Sequence, residues 1–271
     1  MRRSKSVFKS VIIGQYFPGN SLLHRLDPRA KIIALALLIA AIFSIRSFWG
    51  YLPLAVAVPA LLQSAGIPLP YVFRGLKPVL YILFFTLLVH FLTTRGGEVL
   101  LQAGPLRVES FGVYLGLFMV LRIIFLVVTT LLLTLTTSPI VLTGGLEYLL
   151  KPLARLGVPA HEIAMMMTIA LRFIPTLMEE SDRLMKAQMA RGADFAGGNI
   201  VHRARSLLPL LVPLFVSVFR RADELALAME ARCYRGGEGR TRLHELRAGP
   251  RDFAGVASVA LLLAVIVWAR L

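Results

Sequence analysis

Apolar positions run in long blocks along this chain, and polar positions collect between the blocks. A membrane-crossing helix needs about 20 mostly apolar residues, within a range of about 17–25. Five blocks meet or approach that length: residues 31–46, 49–66, 76–93, 111–137 and 253–270. The first two nearly touch at Arg46 to Trp49, which predicts a tight helical hairpin. Pro53 and Pro59 in the second are tolerable inside a membrane helix. The fourth is long enough to tilt. Its threonines, among them Thr129, Thr130 and Thr136, can bond back to their own helix or to a neighbour. Two further runs, 163–178 and 207–219, are short for a span. Arg172 and Pro175 interrupt one, and Pro209 and Pro213 the other.

Charge decides between the possible topologies. Residues 1–31 carry seven Lys/Arg against one acid, and residues 138–251 carry sixteen Lys/Arg. Arg74 and Lys77 add a basic loop between the second and third blocks. Cytoplasmic loops of membrane proteins collect Lys and Arg, and with five spans all three basic stretches fall on one side. The N-terminus and residues 138–251 are therefore expected in the cytoplasm, with the C-terminus outside. If 163–178 and 207–219 crossed as a hairpin, Arg183, Lys186, Arg191, Arg203 and Arg205 would lie on the wrong side. They are expected as helices at the cytoplasmic interface.

The segment 138–251 reads as three helices. The first covers about 145–156 and is closed by Gly157 and Pro159; the second covers 160–191 and stops at Gly192; the third covers 203–232. Ala187, Ala190, Ala222, Ala226 and Ala228 would let two of these helices cross closely. Phe215, Val218, Phe219, Ala222, Ala226 and Met229 share one face of the third, so it is expected to pack on something. Seven of the nine methionines lie between Met165 and Met229. Such a surface either adapts to varied partners or fills an irregular core.

The two long helices end alike. Asp182 to Gly192 aligns without a gap on Asp223 to Cys233, matching Asp182 with Asp223, Leu184 with Leu225, and Ala190-Arg191 with Ala231-Arg232. A guanidinium at a helix C-terminus has five donors in a rigid fork and sits well against the helix dipole. It can pair with an acidic groove on a partner. A single such arginine is equally a solvated capping cation; the repetition is what points to two similar docking partners.

Composition agrees with a membrane protein. The chain has 271 residues, 57% hydrophobic and 17% charged, and a mean hydropathy of +0.73; soluble domains hold about 25% charge. The net charge of +15 is placed by the positive-inside bias rather than by nucleic-acid binding, which is not expected. Cys233 is the only cysteine, so no intrachain disulfide can form. The basic N-terminus lacks the apolar run and small-residue site of a cleaved signal peptide. No P-loop, His-Glu-x-x-His, Cys-x-x-Cys or Gly-x-Ser-x-Gly pattern occurs. No metal site and no catalytic constellation are expected. At the first block, Asp27 is expected to cap a helix with Pro28 at its first position, and Arg29 and Lys31 to anchor at the headgroups. Arg172, with Pro175, needs an acidic partner such as Glu162, Glu179 or Glu180. Arg122 lies inside the fourth span, where charges are costly and often functional; with Arg107 and Glu109 not far outside, snorkelling or an internal pair is the plain alternative. His90 is expected as a polar helix contact.

Together these patterns predict an all-α integral membrane protein of about five transmembrane helices and three cytoplasmic helices, two of them long and crossing. The expected division is a membrane domain of four spans at 1–137, a cytoplasmic domain at 138–251 and a final span at 252–271.

Several stretches stand out together: Ser21-Leu22-Leu23-His24-Arg25-Leu26-Asp27-Pro28-Arg29-Ala30-Lys31, Gly144-Gly145-Leu146-Glu147, the run from Pro152 to Gly157-Val158-Pro159, Leu171-Arg172-Phe173-Ile174-Pro175, and the two Ala-Arg helix ends. With them the chain resembles the transmembrane T component (EcfT/CbiQ-like) of energy-coupling factor (ECF) transporters, ABC-type importers of vitamins and transition-metal ions. The second Ala-Arg departs from the usual pattern, with Cys233 where Gly or Ser is common. The resemblance implies a non-catalytic coupling subunit whose two long coupling helices dock on two cytoplasmic ABC-type ATPase subunits. Ala190, Arg191, Gly192, Ala231, Arg232 and Cys233 would form the docking tips, and Arg172, Pro175, Asp182 and Asp223 would shape the coupling helices. The membrane spans and the other helix surface would hold a substrate-binding S component. ATP and Mg would be bound by the ATPases, with no cofactor on this chain, and the location would be a prokaryotic plasma membrane. The competing readings are a self-contained secondary transporter, which would repeat across its membrane segments, and a membrane-embedded enzyme, which would cluster its histidines and acids. Here the repeat lies outside the apolar blocks and the five histidines are scattered.

Overall fold

The computed structural model describes residues 16–103, 106–193, 195, 197, 199–236 and 248–268. Residues 1–15, with their basic side chains, residues 237–247 and the end of the last predicted span, 269–270, lie outside the described residues. In chain order the helices are α1 (Leu22–Arg25), α2 (Pro28–Ser44), α3 (Tyr51–Ala65), α4 (Leu69–Leu76), α5 (Leu80–Thr93), α6 (Ser110–Thr136), α7 (Pro139–Leu150), α8 (Ala160–Ala190), α9 (Ile200–Ala231) and α10 (Pro250–Trp268). Strands β1 (Val99–Ala103) and β2 (Leu106–Glu109) form an antiparallel pair between α5 and α6. The fold is that of an all-α membrane protein. Backbone contacts divide it into two units, one of residues 16–149 with 248–268 and one of residues 150–236.

In the first unit, four helical stretches are long and apolar enough to cross a membrane: Phe48–Ala65, Leu69–Thr93, Ser110–Thr136 and Pro250–Trp268. Helix α2 overlaps the first predicted block, 31–46, but with 17 residues, at the lower edge of the spanning range, it is not one of these four. Local chemistry sets these ends. Asp27 accepts the Arg29 N–H and Pro28 occupies the first turn of α2. Gly66, at φ 66°, closes α3 in the left-handed conformation. Pro250 opens α10, and Asp252 three residues after Gly249 accepts the Gly249 N–H at 2.7 Å, as the third residue of a capping box does.

Three local expectations are corrected. The third spanning stretch begins at Leu69, so Arg74 and Lys77, expected in a loop, lie within a helical run; prolines in the first turn of α4 and of the 3₁₀ turn Lys77–Val79 let the chain stay helical there. The helix expected from 145 begins at Pro139, a favoured first position, and its 3₁₀ continuation Lys151–Leu156 ends at Gly157 as expected. The segment between α5 and α6, expected as a loop, contains β1 and β2, with Val99 opposite Glu109 and Leu101 opposite Val108.

Helix α10 packs chiefly along α2, and α5 along α6. One buried cluster joins Leu38, Ala41, Ile42, Ile45, Tyr51, Leu54, Phe118 and Ile266. Tyr51 stacks on Phe125 with centroids 5.6 Å apart and donates its hydroxyl to the Phe118 carbonyl at 3.3 Å. Between membrane helices, close packing of this kind replaces the solvent-driven burial of a soluble core. Gly112 shows how tight it is, since a Cβ there would lie 2.8 Å from the His90 carbonyl. His90 itself bonds Thr94 through Nδ1 at 3.1 Å.

Candidate docking tips and the clamp between the long helices

Helices α8 and α9 form most of the second unit, and each ends one residue before an arginine. In α8, the N–H of Gly192 donates to the Met189 carbonyl and that of Ala193 to the Gln188 carbonyl, both at 3.0 Å. In α9, the N–H of Cys233 donates to Glu230 at 2.8 Å and that of Tyr234 to Met229 at 3.0 Å. Both are Schellman closures, in which a left-handed residue just past the cap turns the chain back over the last carbonyls. Gly192 takes that position at φ 89°, and Cys233 takes it at φ 57° as the only described non-glycine residue with positive φ. Arg191 and Arg232 are the two C-caps, with nearly equal backbone angles (φ −88°, ψ 6° and φ −92°, ψ 14°). The internal repeat in the sequence is therefore a repeat in backbone geometry.

Both arginines are exposed, as are Ala190, Gly192, Ala231 and Cys233. Small neighbours leave each guanidinium free of flanking bulk, and the last carbonyls of each helix add negative potential behind it. An acidic groove on a partner could take such a tip.

Asp182 and Asp223 are not brought together. Asp182 is half-buried and Asp223 exposed, each nine residues before its cap. Pro175 lies inside α8, and Arg172 is exposed there. Among the described residues Glu180 does not serve Arg172. Its Oε2 accepts Arg221 Nη2 at 3.0 Å, and its Oε1 accepts the Ser217 hydroxyl at 2.5 Å. This clamp joins α8 to α9. The sequence reading had named Glu180 as a candidate partner but missed Arg221, because the one-turn spacing of Ser217 and Arg221 gains meaning only once an acid faces them. The apolar face of α9 expected to pack leaves Phe215 and Phe219 60% and 64% exposed.

In the other unit, Asp27 and Pro28 are buried. Pro28 lies under Gly145, where a Cβ would come within 3.1 Å of it. Arg29 stacks on Tyr148 at 3.5 Å from the ring centroid. Lys31, expected at the headgroups, instead donates to the carbonyls of His24 and Thr136 and to the Thr137 hydroxyl, at 3.3, 3.2 and 3.0 Å. Arg122 is held internally, by another helix rather than by an acid. Its Nη2 donates to the Ile45 carbonyl at 2.8 Å, and its guanidinium lies 4.9 Å from the Phe118 ring. It thereby caps the C-terminus of α2. Asp252 was also missed as an interacting residue, although Pro250 and an acid in the first turn are helix-start signals. Among the described residues no cluster of three or more His, Cys, Asp or Glu side chains could hold a metal ion.

Comparison with known proteins agrees with this architecture. The family described as CbiQ, cobalt transport protein, matches residues 19–243. The energy-coupling factor transporter transmembrane protein EcfT of Thermosediminibacter oceani is 56% identical over 254 residues, covering 94% of this chain and 96% of the relative. The protein of the same name from Acidaminococcus fermentans is 53% identical, covering 95% and 97%. That from Bacillus subtilis is 47% identical, covering 96% and 98%. With matched residues running from before the first spanning helix to beyond both arginine-tipped helices, the chain belongs to the CbiQ/EcfT family of energy-coupling factor transporter transmembrane components.

Proposed function

We propose that this chain couples two cytoplasmic ABC-type ATPase subunits to a membrane-embedded substrate-binding S component, for uptake of a vitamin or a transition-metal ion. Arg191 and Arg232 each enter an acidic groove on one ATPase. ATP and Mg are held by those subunits, and this chain supplies no catalytic group. ATP-driven movement of the two subunits is passed through α8 and α9 to the S component. The N-terminus and the α8–α9 unit lie on the cytoplasmic side of a prokaryotic plasma membrane.

The observation that carries this reading is the identical Schellman closure of two helices with an exposed arginine at each cap. A Schellman closure is common at helix ends, so the support lies in its recurrence, with the same exposed Ala-Arg, at the ends of both long helices. The clamp at Glu180 ties the two helices together, as transmission between two ATPases requires.

The test is a pull-down of co-expressed ATPase subunits on tagged protein, comparing wild type with Arg191→Glu, Arg232→Glu and the double variant. Reversing a buried docking charge costs about 2–5 kcal/mol, about thirtyfold in affinity at the low end. Each single reversal is expected to weaken capture, and the double reversal to abolish it while the protein stays monodisperse in detergent. Full capture by the double variant would leave the arginines as caps and end this assignment.

A further inference from the structure

The membrane unit contains a cleft of about 770 Å³ between α2, α6 and α10. One end holds Arg25 and Arg251, both exposed. Leu35, Leu38, Leu133 and Val259 are among the mostly apolar residues that line the remainder, with Thr129 and Ser258 between them. Along α2 the wall from Lys31 to Leu38 descends about 10 Å, at about 1.5 Å per residue. The cleft is thus graded from cationic mouth to apolar floor.

The charges at the mouth are unequal. Arg25, Lys31 and Arg251 line the mouth with one acid, Asp252, and Asp27 lies close enough to act on Lys31 as well. Both oxygens of Asp252 already accept backbone N–H groups, from Asp27 and Gly249 at 2.7 Å each. Lys31 is spent on two carbonyls and a hydroxyl. Arg25 and Arg251 have no polar partner among the described residues. Two uncommitted guanidiniums suit a phosphodiester, which they can bind through paired N–H donors. A leucine-lined wall directly below suits a hydrocarbon chain rather than a polar solute. The mouth lies where α2 and α10 begin and α6 ends, the level at which basic side chains meet headgroups.

We propose that this cleft is a binding site for one anionic phospholipid, its phosphate on Arg25 and Arg251 and one acyl chain along Leu35, Leu38, Leu133 and Val259. The lipid would fill the gap between α2 and α10 and lock the helix pair in its observed packing. The site is independent of the ATPase-docking tips, so either assignment can fail alone.

The experiment reconstitutes the full chain in phosphatidylcholine vesicles containing a trace of phosphatidylglycerol with a photoactivatable diazirine on its acyl chain. Crosslinked peptides are then mapped by mass spectrometry. Labelling is expected on α2 and α10 at the cleft, competed by unlabelled phosphatidylglycerol but not by phosphatidylcholine or inorganic phosphate. Arg25→Gln and Arg251→Gln should each weaken it about fivefold, the effect of one juxtamembrane cation on an anionic lipid. Gly255→Leu supplies a second variant that keeps both charges. A Cβ at Gly255 meets nothing nearer than Leu26 Cδ1 at 3.9 Å, so a side chain has room to start from there into the cleft that Gly255 lines, and the leucine should abolish labelling. Equal labelling by a phosphatidylcholine probe would mean a generic lipid shell and overturn the proposal. So would labelling unchanged in both arginine variants.

Discussion

Asp252 and Asp27 stand 225 residues apart in the chain and meet through a 2.7 Å hydrogen bond, the Asp27 N–H donating to Asp252 Oδ1. The other oxygen, Oδ2, accepts the Gly249 N–H at 2.7 Å, so one buried carboxylate starts α10 and ties it to the start of α2. Removing it strands two N–H groups at a place with little water. Asp252→Ala is expected to cost about 3 kcal/mol, and Asp252→Asn, which keeps one acceptor, about half of that. Thermal unfolding in detergent reads this directly. An alanine variant that melts with wild type would show that the bond contributes nothing.

Gly192 and Cys233 occupy the same left-handed position at the two helix ends, and only one of them suits it. A side chain costs roughly 1–2 kcal/mol in that region, part of which glycine's greater freedom in the unfolded chain takes back. Cys233→Gly is therefore expected to stabilise the end of α9 by about 1 kcal/mol, and Gly192→Ala to destabilise the end of α8 by about as much. Nothing lies within 4 Å of a Cβ at Gly192, so its effect is one of backbone alone. Hydrogen exchange at the Tyr234 and Ala193 amides, which close the two motifs, reports each end separately. Equal signs for the two substitutions would contradict the strain argument.

Prolines, glycines and charge made much of the helical layout legible. Gly157 and Gly192 stop helices where the sequence places the stops, and α8 and α9 fall within three residues of their predicted bounds. The paired tips were legible because a repeat without gaps keeps the same cap residues in the same order. What stayed hidden were relations between distant residues. Arg122 finds a carbonyl at the end of α2, and Glu180 finds Arg221 rather than Arg172, because those choices depend on which helix faces are neighbours. The β1–β2 pair was hidden for a local reason. It is too short to show a clear alternation, and its apolar Val99, Leu100 and Leu101 read equally well as the fringe of a span.

Arg122 illustrates how a membrane helix keeps a charge. Its guanidinium shares the Ile45 carbonyl, at 2.8 Å, with the faces of Phe118 and Phe43 at 4.9 and 5.8 Å. An interhelical hydrogen bond in a membrane averages about 0.6 kcal/mol, and a desolvated cation–π contact adds about 1–2 kcal/mol. Arg122→Leu is expected to lower stability by about 2 kcal/mol. Arg122→Lys should recover less than half, since an ammonium cannot lie flat against a ring while reaching the carbonyl. Unfolding titrations in mixed micelles would show the ranking Arg, Lys, Leu; a leucine variant equal to wild type would contradict it.

The clamp of α8 on α9 is open to a double-mutant cycle. Arg221 and Glu180 keep 39% and 23% of their side-chain surface exposed, so solvent screens their attraction and a coupling of about 1 kcal/mol is expected between Glu180→Ala and Arg221→Ala. Glu180→Ala should cost more than Arg221→Ala, because it also releases the Ser217 hydroxyl held at 2.5 Å. Reversing both charges should restore part of the loss, while Arg172→Ala should leave the cycle unchanged. The coupling should shrink at 1 M salt, where the screening length falls to about 3 Å. Strict additivity of the two alanine substitutions at low salt would mean that α8 and α9 are held by apolar contact alone.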